Sequence, residues 1–118
     1  MKSLALPKSM LLTKSWQYRN VYSQGQRVRG KEFSLICLPN SAGHNRLGVS
    51  VHGVKLAVRR NRIKRIVREF FRQNREVITP ASDVVFAVRS GFAYATPQEI
   101  SLAVRKLLED QAGRRIRG

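Results

Sequence analysis

Acidic residues are scarce in this chain. Seven of its 118 residues are Asp or Glu, against 23 Lys or Arg, for a formal net charge of +16 at pH 7. A folded body with that much uncompensated charge repels itself and belongs beside anions, nucleic acid first and an anionic membrane surface second. The shortage of acids also limits chemistry. Glu32, Glu69, Glu76, Asp83 and Glu99 are scattered, followed by Glu109 and Asp110, whereas a metal nuclease needs carboxylates converging on one or two ions. His44 falls in a turn and His52 at a strand end, neither with a clear acid partner. No catalytic residue, metal site or bound cofactor is expected in the protein. The single cysteine, Cys37, excludes an internal disulfide, and its place in the apolar run 33–38 makes it a small buried side chain. No apolar stretch approaches the ~20 residues of a membrane helix. The N-terminal segment, interrupted by Pro7 and lysines, lacks a signal peptide's continuous apolar core. A cytoplasmic setting is expected. Repeats and low-complexity segments are also missing.

What remains, 42% hydrophobic residues in 118, suffices for one core and one domain spanning 1–118. Residues 1–14 read as an irregular arm. Ser15 can cap a helix to about Gln24, with Tyr18, Val21 and Tyr22 on one face and Gly25 as a left-handed closing residue. The two tyrosines suit packing and stacking equally. Phe33–Leu38 reads as a strand, the cluster 39–43 as a turn, and Arg46–His52 as an alternating strand. The short link predicts an antiparallel hairpin. A long helix is expected from about Leu56 to Val77. The apolar run Asp83–Arg89 then suits a strand covered on both faces, which completes a βαβ unit. Thr96-Pro97-Gln98-Glu99 is a helix start with a capping box. Ile100, Ala103, Val104, Leu107 and Leu108 form the helix's buried stripe, Gly113 its end, and 114–118 a basic tail. The expected class is α/β, as a two-layer α+β sandwich.

Charge is concentrated in the long helix. Residues 55–75 hold nine of the 23 cations and one acid, Glu69. At about 100° per residue, Ile63, Ile66, Val67, Phe70 and Phe71 share one face. Asn61, Lys64, Arg65, Arg68, Arg72 and Arg75 occupy the opposite one. An ordinary solvated face mixes both signs. A membrane or calmodulin-target helix normally buries its apolar side in lipid or partner, whereas here two strands are available to cover it. A row of guanidinium groups on a rigid helix matches a phosphate backbone.

The string Arg46-Leu47-Gly48-Val49-Ser50-Val51, followed by Ala57-Val58-Arg59-Arg60-Asn61-Arg62-Ile63-Lys64-Arg65-Ile66-Val67-Arg68, resembles the protein subunit of bacterial ribonuclease P. The likeness extends over about residues 11–110. It implies a central mixed sheet of about four strands, the fold of the second domain of a small-subunit ribosomal protein, and a left-handed βαβ crossover. It also implies two partners, one catalytic RNA per protein and precursor tRNA, with no membrane and no obligate protein partner. The assembly removes the 5′ leader, and the chemistry and Mg2+ belong to the RNA-containing holoenzyme. On matching positions, the RNA-facing residues would be Arg59, Arg60, Asn61, Arg62, Lys64, Arg65, Arg68 and Arg72. The leader cleft would take Tyr18, Tyr22, Phe33 and Ile36, with Ile36 standing where the family often has an aromatic. A structural RNA-binding protein of similar fold and a self-sufficient protein nuclease are the competing readings.

Overall fold

The structure is a computed structural model that describes residues 6–117, with side chains through Gln111. Three helices, α1 (Ser15–Gln24), α2 (Ala57–Gln73) and α3 (Pro97–Arg117), accompany four strands, β1 (Gln26–Arg29), β2 (Phe33–Pro39), β3 (Arg46–Val51) and β4 (Ser82–Val88). The strands form one mixed sheet in the order β1-β2-β4-β3. β4 pairs antiparallel with β2 and parallel with β3.

The expected hairpin is therefore not formed. β2 and β3 run in opposite directions, but β4 lies between them. The apolar run that made β4 look covered on both faces explains this: an edge position would leave one ladder of its backbone groups unpaired. Residues 40–45 need only span two strand spacings, roughly 10 Å. The parallel β3–α2–β4 unit forms as the pattern predicts. β1 was not anticipated, because Val28 is its only apolar residue and four residues give no readable period.

Strand alternation divides the interior in two. Phe33 and Leu35 of β2, Leu47 of β3, and Val84, Phe86 and Val88 of β4 face α2 and α3, where they meet Ile63, Val67, Phe70, Phe71, Ile100 and Val104. Phe33 stacks on Phe86 with centroids 4.8 Å apart, and Phe92 packs edge-on to both. On the other face Ile36 and Val85 meet Leu12 and Val21 beneath α1.

Several helix ends differ from expectation. Ser15 is the first residue of α1 rather than its cap; Gln17 Oε1 accepts from the Thr13 and Lys14 amides instead. Gly25 is extended (φ −77°), not left-handed. It is small because a Cβ there would meet Val21 O at 2.5 Å and Ile36 Cγ2 at 2.9 Å. α2 stops at Gln73 rather than near Val77, because Asn74 Nδ2 donates to Phe70 O at 2.9 Å and satisfies an orphan carbonyl. α3 starts at the expected box: Glu99 N donates to Thr96 Oγ1, and Ala95 N donates to Glu99 Oε1. Its backbone continues through Gly113 to Arg117, since one interior glycine costs only about 1 kcal/mol relative to Ala. The side chains of the expected basic tail, and residues 1–5 of the arm, lie outside the described residues.

The rest of the arm is anchored rather than irregular. Lys8–Met10 form a turn of 3-10 helix. Leu11 bridges to Leu47, and Leu12 N donates to Leu47 O at 2.8 Å. Leu11 packs toward the α2 side and Leu12 is buried on the α1 side, so the arm covers the edge strand β3.

Cys37 is half-buried against the main core. Burial pushes its thiol pKa up to about 11. At pH 8 the thiolate fraction falls by about two orders of magnitude, partly offset by the greater nucleophilicity of a more basic thiolate. Alkylation is expected to be roughly tenfold slower than that of an unhindered cysteine, measured by mass spectrometry. Equal rates would contradict the burial.

Candidate nucleic-acid interface

α2 lays its apolar stripe on the sheet, so the cationic side must point outward. Its cations do not have equal work. Arg60 Nη1 donates to the carbonyls of Val54 (2.9 Å) and Lys55 (2.7 Å) and ties down the β3–α2 link. Arg59 reaches Phe92 O at 3.5 Å. Arg72 grips Glu69 through both Nε and Nη2, and Gln73 donates to the same carboxylate. The Arg72 guanidinium holds the Glu69 carboxyl below the usual carboxylate range. This pairing neutralises the helix's one acid and leaves Arg62, Lys64, Arg65 and Arg68 without an acidic partner among the described residues. Arg62, Arg65 and Arg68 are exposed, as is Asn61, and Lys64 is half-buried.

α1 crosses the opposite face of the sheet. Tyr18 lies on Gly48: a Cβ at that position would come within 2.7 Å of the Tyr18 ring. Glycine in β3 thus lets an aromatic ring reach the sheet backbone. Burial raises the Tyr18 pKa, while a hydrogen bond with the Val49 backbone and the nearby Arg68 charge oppose the rise. One turn on, Tyr22 is 37% exposed, with the Arg27 guanidinium 5.7 Å from its ring centroid, within cation–π range.

Two residues expected in the cleft are buried. Phe33 is 3% exposed, on the α2/α3 side of the sheet. Ile36 is fully buried beneath α1. Positions 33 and 36 differ by an odd number, so one strand could not show both on one face. Register instead adds Arg27 and Arg29 of β1, which point to the same face as Ile36. Arg89 just beyond β4 donates to Ser34 Oγ at 2.7 Å on that face. The arginines of β1 escaped sequence reading because the strand itself did. Their alternation about Val28 was the one available signal.

Besides Glu69, three more acids have structural work. Asp83 accepts from Arg46 Nε (2.7 Å), Arg46 Nη2 (2.9 Å) and Asn40 Nδ2 (2.8 Å). Glu32 accepts from the Tyr94 hydroxyl, and Glu99 serves the α3 cap. Among the described residues no three His, Cys, Asp or Glu side chains come together as metal ligands. No helix among the described residues is long and apolar enough to cross a membrane.

Fold and charge define a small α+β domain of the class that lies against a polyanion. The family described as Ribonuclease P matches residues 6–112. The ribonuclease P protein component of Desulfotalea psychrophila is 46% identical over 114 residues, covering 96% of this chain and 95% of that protein. The Photorhabdus laumondii component is 37% identical, covering 91% of each. The Staphylococcus aureus RNase P protein, as a mutant defective in mRNA degradation, superposes with a TM-score of 0.72 at 27% identity, covering 89% of this chain and 90% of that one. The Thermotoga maritima protein superposes with a TM-score of 0.61 at 28% identity, covering 82% and 89%. The chain belongs to the ribonuclease P protein component family, the protein part of a tRNA-processing endoribonuclease that includes RNA.

Proposed function

We propose that the chain binds the catalytic RNA of ribonuclease P, one protein to one RNA, through the outward face of α2. We further propose that it holds the 5′ leader of precursor tRNA along the α1 side of the sheet. The observation carrying this reading is the acid-free row Arg62, Lys64, Arg65 and Arg68 on the outward side of α2. Asn61 belongs to the same face, while Arg59, Arg60 and Arg72 act first as braces of the helix. In the leader cleft Tyr18 and Tyr22 contribute, with Arg27 and Arg29 for backbone charge; Phe33 and Ile36 support from within the core. A single-stranded leader exposes base faces, and stacking on tyrosine tolerates any sequence. Scission and its Mg2+ are assigned to the RNA of the holoenzyme, and the protein screens phosphates so that RNA and substrate approach.

Reconstitution tests this. The purified chain alone is expected to leave precursor tRNA intact, and to raise cleavage by the catalytic RNA at low Mg2+. Cleavage by rigorously RNA-free protein, or no gain in the mixture, overturns the proposal. Tyr22→Ala is expected to weaken precursor binding about fivefold to tenfold, the lower range of one lost stacking contact, and to leave mature tRNA binding unchanged. Equal losses for both ligands would remove Tyr22 from the leader.

A further inference from the structure

Beside α2, the anchored arm forms a second wall. Leu6 and Leu11 on one side and Asn61, Lys64, Arg65 and Arg68 on the other enclose a groove of about 570 Å³, within the range of about 300–1,000 Å³ for small-ligand pockets. The arm is fixed there by the Leu11–Leu47 bridge and the Leu12 amide bond, and Leu6 and Leu11 pack on the main core. The groove's one carboxylate, Glu69, is occupied by Arg72 and Gln73. One wall is thus apolar and the other is a short row of uncompensated cations. Asn61 adds an exposed amide that both donates and accepts.

Resting on the RNA-binding reading above, the geometry points to a subsite for a single unpaired nucleotide of the RNA partner. The base lies against Leu6 and Leu11 with its edge toward Asn61, and the phosphate sits on Lys64, Arg65 and Arg68. A paired, stacked base could not enter, so the subsite selects a bulged or looped nucleotide over a regular helix. An anion without a base would use only half of the groove. An acidic peptide or lipid headgroup would use the cations but leave the Asn61 amide without a base edge.

The test is an NMR titration of the labelled full chain at fixed ionic strength with AMP, ribose 5-phosphate and inorganic phosphate. AMP is expected to bind about tenfold more tightly than ribose 5-phosphate, a gain of the size of one base contact, with shifts at Leu6, Leu11 and Asn61. Leu6→Ser, a change at a half-buried arm residue, is expected to abolish the AMP advantage while leaving phosphate binding and catalytic-RNA salt dependence intact. Equal affinities for AMP and ribose 5-phosphate, or AMP shifts confined to other surfaces, overturn the subsite. If the catalytic RNA still binds with a salt slope set by Arg65 and Arg68, the broader interface survives that result. If Arg65→Ala changes neither RNA affinity nor its salt slope, both fall.

Discussion

Asn45→Ala is expected to lower unfolding free energy by about 3 kcal/mol, more than a hundredfold in the folding equilibrium. Asn45 is 5% exposed. Its Nδ2 donates to Arg75 O at 2.8 Å and Ile78 O at 2.9 Å, and its Oδ1 accepts from Ser82 N at 2.7 Å. One side chain therefore clamps the whole connection from α2 to β4. Alanine leaves the Ser82 amide and two carbonyls without these partners, and an unmet buried polar group costs about 1–3 kcal/mol. Asn45→Asp refines the test. It keeps the acceptor for Ser82 but turns a carboxylate toward two carbonyl oxygens. The folded-state pKa of the new carboxyl is raised, so the variant binds its proton more tightly when folded and gains stability as pH falls through that value. Urea unfolding across pH measures both effects. A loss below 1 kcal/mol for the alanine variant would show that water replaces the amide.

The double substitution Arg65→Ala/Arg68→Ala is expected to weaken catalytic-RNA binding about 100-fold at moderate salt. It should also make the slope of log K against log salt shallower by about 1.8 on a duplex surface, or 1.4 on single strands. The two residues stand one helical turn apart, exposed and without acidic partners among the described residues. Arg72→Ala is the informative contrast. Arg72 is held by Glu69, so its removal also releases a carboxylate onto the cationic face. The added negative charge is expected to weaken binding even though Arg72 itself is not free. Glu69→Gln should then strengthen binding by liberating Arg72. Filter binding over a salt series reads all three. An unchanged slope in the double variant would place the RNA elsewhere.

Local pattern foretold the α2 stripe, the α3 start and the buried character of β4, because each depends on residues within a few positions. Gly48 is the opposite case. In the sequence it merely interrupts an alternating strand, whereas in the fold it is where the Tyr18 ring meets β3. Likewise Gly25 looked like a left-handed cap and is instead a close contact between α1 and Ile36. Nothing within the chain's neighbourhood of either glycine announces the partner. Tyr18 is thirty residues from Gly48, and no periodicity reports such a meeting.

The shortage of acids and the concentration of arginine in α2 are properties of composition and helical period, so the sequence alone determined that one helix would present a cationic face to an anionic partner. Which cations are available was decided by tertiary structure. Arg60 is drawn to carbonyls of the β3–α2 link and Arg59 to Phe92 O. The insertion of β4 between β2 and β3 and the sorting of Phe33 away from Tyr18 and Tyr22 were settled in the same way. Charge and periodicity are local sums, whereas availability depends on which distant donors and acceptors the packed chain brings within about 3 Å.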